Sequence, residues 1–297
     1  MLGRAEPHRI VRLHYGRYMS DAQPESTEKT EHTEKYTHGH HESVLRSHSW
    51  RTVENSAAYL LPHLAPGLSL LDVGAGPGTI TVDFAERLAP GQVVGIDQSA
   101  EIVEQAAALA ETRGLTNVSF QAADLYELPF ADDTFDVVHA HQVLQHVSDP
   151  VAALREMRRV TKPGGLVAVR EVDYRGTIWA PDNAGLDHWM TVYQLVHRGN
   201  GGEPDAGRYL KGWALQTGLT DVESSASVWC FASDADRAWW GDSWATRALE
   251  SKFYSDALDN RVATDLELQA ISKAWLSWRD AADGWLAMPH GELLARA

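Results

Sequence analysis

Three acidic side chains stand where strand-like apolar runs of the sequence end, namely Asp72, Asp97 and Asp124. A carboxylate accepts hydrogen bonds from an amino group, from ribose hydroxyls or from the exocyclic amine of a purine. Asp97 lies at the position where a nucleotide-binding α/β fold binds two ribose hydroxyls. Asp124, followed by Leu125, offers an acceptor and an apolar wall for an adenine, and Asp72 suits a cationic amino group. The pattern predicts a site for an adenosine with an amino-acid tail.

A glycine-rich turn, Gly74-Ala75-Gly76-Pro77-Gly78, follows the first of these runs and leads into a helix. Its glycines permit positive φ angles and let a ligand approach the free N–H groups at the helix N-terminus. A dinucleotide-binding turn has the spacing G-x-G-x-x-G, and Thr79 stands where its third glycine is required. The turn therefore favours binding of a single nucleoside over binding of NAD. An NAD- or nucleotide-dependent oxidoreductase is the alternative function.

The elements that must position these residues alternate between short β-rich runs and helical segments. This alternation requires right-handed crossovers and predicts an α/β fold with an open, doubly wound, mostly parallel sheet. The expected strands are Leu68 to Val73, Gln92 to Asp97, Val118 to Ala122, Phe135 to Ala140 and Leu166 to Val172, and the expected helices are Thr79 to Leu88, Ala100 to Arg113 and Pro150 to Val160.

Composition divides the chain into four predicted parts. Residues 1–35 are mostly polar and predict a disordered extension, and residues 36–66 predict a lid or helix. Residues 67–174 form the predicted nucleoside-binding core. Residues 175–297, with ten of the 11 tryptophans, predict an aromatic-rich helical cap plus closing strands at 221–231 and 285–294. Leu268, Ile271, Trp275 and Trp278 recur at helical spacing, and Gly284 is expected to end their helix.

Charge and cysteine content limit the partners of this chain. Its formal net charge of −15 disfavours binding to a phosphate backbone, so no nucleic-acid partner is expected. Its one cysteine, Cys230, forms no disulfide within the chain, and no apolar stretch approaches the roughly 20 residues of a membrane-spanning helix. We expect a cytoplasmic protein without a membrane partner, and a homodimer is compatible with an apolar cap helix.

These motifs resemble the class I S-adenosylmethionine (SAM)-dependent methyltransferases, and within them the ubiquinone/menaquinone-biosynthesis methyltransferase-like group. The resemblance covers Ser56 to Asp173 and continues more faintly to Phe231; it rests on Leu71 to Gly78, Leu128 to Val138 and Arg159 to Gly165. It implies a Rossmann-like fold, SAM as cofactor, and His141 and Gln142 beside the sulfonium. The implied cofactor-binding residues are Asp72, Gly74, Ala75, Gly76, Thr79, Asp97, Gln98, Ala123, Asp124, Leu125, His141 and Gln142.

Methyl transfer requires a base only when the acceptor must lose a proton, and candidates are present. His141 ranks first and His41 next, and Glu171 on strand 5 either acts on the acceptor or caps the following loop. The residues expected near the acceptor are Tyr36, Trp50, Asp173 and Trp179. The histidines around His41 alternatively form a polar loop; no cysteine or matched carboxylate completes a zinc site with them, so no metal is expected.

The acceptor is expected to be a small molecule. The D/N-P-P-Y/F box of amino-adenine methyltransferases is replaced by Ala140-His141-Gln142-Val143, and no Pro-Cys nucleophile is present there. Arsenite methyltransferases resemble one another in their use of several cysteines, and the one thiol of this chain is too few for that chemistry. The tryptophan-rich cap favours a partly apolar or aromatic acceptor, with oxygen, carbon and nitrogen all open as the methylated atom. A SAM-binding protein with a non-methylating role is the second alternative.

Overall fold

The computed structural model describes residues 50–297. The predicted extension 1–35 and the first part of the predicted lid, with Tyr36 and His41, lie outside these residues. Within residues 50–297, no helix has both the length and the apolarity that crossing a membrane requires. The four predicted domain boundaries stay predictions.

One eight-stranded sheet organises the described part of the chain. Its first five strands are parallel in the order β3-β2-β1-β4-β5, and β8 runs antiparallel beside β5. Leu294 pairs with both Ala168 of β5 and Glu223 of β7, so β8 lies between these strands. The predicted doubly wound, mostly parallel sheet is confirmed. The strands are β1 (Leu70–Val73), β2 (Val93–Asp97), β3 (Val118–Ala122), β4 (Phe135–His141), β5 (Thr161–Val172), β6 (Ile178–Ala180), β7 (Thr220–Phe231) and β8 (Trp285–Arg296).

Most of the helices begin after a residue whose side chain accepts from a free N–H group of the first turn. The Asp149 side chain accepts from the N–H of Ala152, and Pro150 occupies the first helical position. Thr264 forms a reciprocal cap with Glu267. The helices are α1 (Val53–Ser56), α2 (Thr79–Leu88), α3 (Ala100–Thr112), α4 (Pro150–Val160), α5 (Ala184–Gly199), α6 (Leu210–Ala214), α7 (Asp234–Glu250), α8 (Lys252–Asp259) and α9 (Asp265–Asp280).

The sheet has a hydrophobic core on each face because consecutive strand residues point to opposite sides. Leu70 belongs to a buried cluster with residues of α1 and α2, including Val53 and Phe84. Its neighbour Leu71 belongs to a second cluster with residues of α4 and α6, including Met157. The covered faces position the carboxyl ends of the parallel strands, where ligands bind in such sheets.

A third core is rich in aromatic side chains, including those of α5, α7 and α9. The ring of Trp189 lies with its centroid 4.7 Å from that of Trp244 and 4.8 Å from that of Trp275. These rings pack together with the ends of β7 and β8, including Phe231 and Leu286. The residues that recur at helical spacing along α9 therefore pack into this core.

Two element boundaries differ from the sequence expectation by more than two residues. Strand β5 begins at Thr161 rather than Leu166, because Thr161 pairs with Phe135 of β4 before a register shift. Helix α9 ends at Asp280 rather than near Gly284, because Ala281 adopts an extended backbone with φ −71° and ψ 122°. Neither difference moves a residue of the predicted cofactor site.

Replacing Trp275 by alanine is expected to destabilise the protein by about 3–5 kcal/mol, because it leaves a large cavity between packed indole rings. Urea unfolding followed by circular dichroism measures this loss. Trp285→Ala is the matched control: the Trp285 side chain is exposed, so a loss within about 1 kcal/mol is expected. Equal losses for both variants would contradict the assignment of Trp275 to the core.

Candidate functional site

A cavity of about 280 Å³ opens at the carboxyl ends of β1 to β4. One part of its wall, the glycine-turn section, comes from the ends of these strands and contains Asp72, Val73, Gly74, Ala75, Gly76, Pro77, Thr79, Ile80, Ile96, Asp97, Gln98, Ser99, Ile102, Ala123, Asp124 and Leu125. The other part, the aromatic section, contains Arg51, His146, Val147, Tyr174, Trp229, Trp239, Trp240, Arg247 and Met288. His141, Gln142 and Val143 line the wall between them.

Every residue that the resemblance assigns to the cofactor lines this cavity. The topology explains why, since parallel strands bring their carboxyl ends to one edge of the sheet. Their individual contacts with a cofactor stay predictions.

The glycine turn is shaped by two requirements that only glycine meets. Gly74, Gly76 and Gly78 have φ angles of 67°, 55° and 82°. A Cβ on Gly74 would lie 2.4 Å from Cγ2 of Val143. The backbone of the turn therefore packs closely against Val143, just beyond the end of β4.

Asp97 joins the ends of β1 and β2 through its carboxylate. One oxygen accepts from the N–H of Gly76 at 3.1 Å, and the other accepts from the N–H of Ser99 at 3.0 Å. Each carboxylate oxygen accepts more than one hydrogen bond, so Asp97 retains capacity for two hydroxyl groups. Its side chain is held in place before any ligand arrives.

The other two acidic residues differ in their surroundings. Asp72 is buried, and its oxygens bond to Oγ1 of Thr81 at 2.5 Å and Nδ1 of His139 at 2.7 Å. Asp124 is exposed and accepts from the N–H of Tyr126 at 2.8 Å. Asp72 is thus the more rigidly held of the two carboxylates.

The turn after β4, residues 142–145, is held from three directions. Gln142 has a φ of 55°, which is uncommon for a residue other than glycine. Its Oε1 accepts from Nη2 of Arg51 at 2.6 Å, and its Nε2 lies 2.9 Å from Nε2 of His290. Because Nδ1 of His290 lies 3.0 Å from the Met288 carbonyl and must donate there, Nε2 is the acceptor.

Glu171 anchors the same turn from β5. Its buried carboxylate accepts from the N–H groups of Val143 at 2.8 Å, Leu144 at 2.7 Å and Gln145 at 3.3 Å. Burial raises the pKa of Glu171 to about 7, although these N–H groups oppose the rise. Glu171 does not line the cavity, and the loop that it caps is the turn after β4 rather than the loop that follows β5, which the sequence alternative named.

His141, the last residue of β4, lines the cavity with an imidazole that has no hydrogen-bond partner among the described residues. The residue is 5% exposed, and its ring centroid lies 5.7 Å from that of Trp229. Burial, reinforced by the charges of Arg51 and Arg170, holds the pKa of His141 well below its usual range. The ring is therefore neutral, with one donor and one acceptor nitrogen available to a ligand.

The residues predicted near the acceptor are not brought together. Trp50 packs against Trp229 at 5.1 Å rather than lining the cavity, and Trp179 lies on β6 with its centroid 6.4 Å from that of Trp189. Asp173 also lies off the wall, because its carboxylate accepts from Nε of Arg208 at 2.6 Å and from the N–H of Gly176. Tyr36 and His41 fall outside the described residues.

No group of three or more metal-ligating side chains occurs within residues 50–297.

The sequence analysis did not predict four residues of the cavity wall, namely Arg51, Tyr174, Trp229 and Arg247. Arg247 had a signal: it follows Trp240 and Trp244 at helical spacing, and its guanidinium carbon lies 6.0 Å and 5.2 Å from their ring centroids.

Comparison with known proteins finds similarity over most of the chain. Residues 64–206 match the family model described as "Methyltransferase domain". An uncharacterized methyltransferase of Schizosaccharomyces pombe is 37% identical over 268 residues, which cover 87% of this chain and 95% of that protein. The ubiquinone/menaquinone biosynthesis C-methyltransferase UbiE of Bdellovibrio bacteriovorus is 41% identical over 105 residues, 35% of this chain and 44% of that protein.

Among solved structures, YcgJ of Bacillus subtilis has a TM-score of 0.53 at 20% identity, covering 82% of this chain and 99% of that one. At this identity the likeness concerns the fold alone. The resemblance to the ubiquinone/menaquinone group is confirmed over the residues that the matches cover.

Asp97→Ala is expected to weaken binding of S-adenosylhomocysteine (SAH) by about 1.5–3 kcal/mol, the range for lost charge-assisted hydrogen bonds. Isothermal titration calorimetry measures the change. Asp259→Ala removes an exposed carboxylate at the end of α8 and should leave affinity unchanged. Wild-type affinity in Asp97→Ala would remove Asp97 from the cofactor site.

Glu171→Ala and Glu171→Gln separate anchoring from proton transfer. Alanine leaves three buried N–H groups unpaired and should lower both SAH affinity and stability, the latter by about 1–3 kcal/mol, whereas glutamine keeps an acceptor for Val143 and Leu144. We expect Glu171→Gln to bind SAH like the wild type. Weak SAH binding by a folded Glu171→Gln protein would count against the anchoring role.

The same glutamine variant changes the pH dependence of stability. The pKa of Glu171 rises from 4.5 to about 7 on folding, so its stabilising contribution is complete below pH 4.5 and lost as pH rises through 7. Urea unfolding of Glu171→Gln between these pH values should therefore show a flatter decline in stability than the wild type. Identical pH profiles would contradict the raised pKa.

Proposed function

This chain belongs to the SAM-dependent methyltransferases, and from that premise we propose that it methylates a small, partly apolar or aromatic molecule. Membership in this family makes SAM the cofactor and decides against the NAD-dependent alternative. The identity of the acceptor and of its methylated atom does not follow from membership, so these rest on the cavity.

The continuous wall of the cavity carries the proposal. The glycine-turn section holds the predicted cofactor residues, and the aromatic section begins directly beyond His141 and Gln142. Tyr174, Trp229 and Trp239 offer apolar surface there. Aromatic walls of this kind bind planar or apolar molecules and exclude water.

The residues present fit SAM. Gly74 and Gly76 line the cavity with backbone that carries no side chain, and Asp97 retains acceptor capacity for ribose hydroxyls. Asp72 would lie near the amino-acid end, and Asp124 with Leu125 would border the adenine. When bound, SAM supplies an electrophilic methyl group on a positively charged sulfur.

The chain's own contribution is mainly orientation and exclusion of water. Methyl transfer is an in-line displacement, so holding donor and acceptor in contact lowers the barrier without a metal ion. The turn at Gln142 lies between the glycine-turn section and the aromatic section. It directly follows His141 and fixes the position of that residue. His141 is the candidate to accept a proton from the acceptor, because the residue lines the cavity and its ring has no partner in residues 50–297.

The test is the formation of SAH from SAM with fractionated cell extract. We expect a low-molecular-mass ultrafiltrate, and neither the macromolecular retentate nor nucleic acid, to support SAH formation. Trp239→Ala should reduce this rate about tenfold while SAH affinity changes little, because it removes one aromatic wall contact. Trp285→Ala is the matched control, since Trp285 does not line the cavity. Turnover that depends only on the retentate would refute a small-molecule acceptor.

A further inference from the structure

We propose that His139 and Thr81 are positioning residues, which keep the Asp72 carboxylate ionised and directed at the amino group of the SAM tail. Neither residue lines the cavity, so both act through Asp72, which does. This inference rests on the proposed function, which places SAM in the glycine-turn section. It assigns a role to two side chains behind the wall of that section.

The first observation is the double anchoring of Asp72. Its Oδ1 lies 2.7 Å from Nδ1 of His139, and its Oδ2 accepts from Oγ1 of Thr81 at 2.5 Å. An ionised carboxylate only accepts hydrogen bonds, so Nδ1 of His139 carries the hydrogen and donates it. Because each carboxylate oxygen is bound by a different donor, the Asp72 side chain is confined to one direction.

The second observation is the burial of all three groups. The Asp72 side chain is 4% exposed, the His139 side chain is fully buried, and Thr81 is buried as well. A carboxylate that leaves water needs hydrogen-bond donors to remain charged. The two donors therefore replace the water that Asp72 has lost. Neither has the permanent charge of a lysine or an arginine, so the negative charge of Asp72 is left to attract an ammonium group.

The third observation is the position of the two donors in the fold. His139 lies opposite Asp72 in the parallel register of β1 and β4. Thr81 belongs to the first turn of α2, on the other side of the glycine turn. The carboxylate thus joins β1, β4 and the start of α2, and the backbone that lines the cavity runs between Asp72 and Thr81.

The fourth observation concerns the second nitrogen of His139. Its Nε2 is buried and has no hydrogen-bond partner within residues 50–297, and the ring packs against Phe84 with centroids 5.0 Å apart. Burying an unpaired polar atom is unfavourable, so a histidine serves core packing poorly at this position. The hydrogen bond to Asp72 is the contact in the described part of the chain that requires an imidazole here.

Asp72 is also the acidic wall residue best suited to the amino group. Each carboxylate oxygen has two lone pairs, and the bonds to His139 and Thr81 use one on each oxygen. Attraction between a carboxylate and an ammonium group strengthens where water is excluded. Of the three acidic residues on the wall, Asp72 is buried, Asp97 is half-buried and Asp124 is exposed.

The experiment compares two ligands of the full-length protein. SAH carries the amino-acid tail, whereas 5′-methylthioadenosine keeps the adenosine and the sulfur but lacks that tail. We expect His139→Leu to weaken SAH binding at least about tenfold and to change 5′-methylthioadenosine binding less than about twofold, because only SAH has the group that Asp72 binds. Isothermal titration calorimetry measures both affinities. Distortion of the whole turn would weaken binding of the two ligands alike.

Three further variants assign the loss to the hydrogen bonds of Asp72. His139→Asn keeps a donor near the Nδ1 position and should recover most of the SAH affinity that His139→Leu loses. Thr81→Val removes the other donor with little change in shape and should also weaken binding of SAH alone. Val137→Ala is the matched control: Val137 is buried on the same face of β4 and does not line the cavity, so both affinities should stay unchanged.

Failure of the inference and failure of the proposed function give different results. Circular dichroism verifies that each variant is folded; if His139→Leu is not, Thr81→Val supplies the comparison. Equal losses for the two ligands, or unchanged SAH affinity in the folded variant, would refute the positioning role. SAH binding by His139→Asn that is no better than in folded His139→Leu would contradict the role of the Nδ1 donor. Absence of SAH binding by the wild-type protein would instead overturn the methyltransferase site.

Discussion

The left-handed backbone of Gln142 is the constraint on which both sections of the cavity depend. A φ of 55° is unfavourable for a residue with a side chain and persists only where its surroundings enforce it. Here Arg51 and His290 bind the side chain, from positions 91 and 148 residues away, and the Arg170 carbonyl accepts from its N–H. Glu171 then binds the next three N–H groups. The turn fixes the end of β4 at His141 and places the Val143 side chain against Gly74.

This arrangement links parts of the chain that have different tasks. Asp97 joins the ends of β1 and β2, while the Gln142 turn joins β4 to β8 and to the segment before α1. The glycine-turn section and the aromatic section therefore share one boundary, a turn whose backbone and side chains are fixed by hydrogen bonds. Since in-line transfer depends on the alignment of donor and acceptor, a boundary held by several hydrogen bonds contributes directly to rate.

The fold and the cofactor section were predictable from sequence because their signals are local. The glycine turn and the acidic residues Asp97 and Asp124 each follow a strand, and parallel topology brings such positions together without further information. The acceptor section was not predictable in the same way. Trp229 and Arg51 reach the cavity only through contacts between distant segments, and Trp179, though in the tryptophan-rich region, lies elsewhere. Composition indicates an aromatic region but not which rings face a ligand.

The uneven distribution of indole rings has a spectroscopic consequence. No tryptophan occurs between Trp50 and Trp179, so the whole of β1 to β5 is silent in tryptophan emission. Trp229, Trp239 and Trp240 line the aromatic section of the cavity, and most of the other indole rings belong to the aromatic-rich core. Tryptophan fluorescence of this protein therefore reports on the cap and the aromatic section, whereas changes confined to β1 to β5 need another signal, such as backbone circular dichroism.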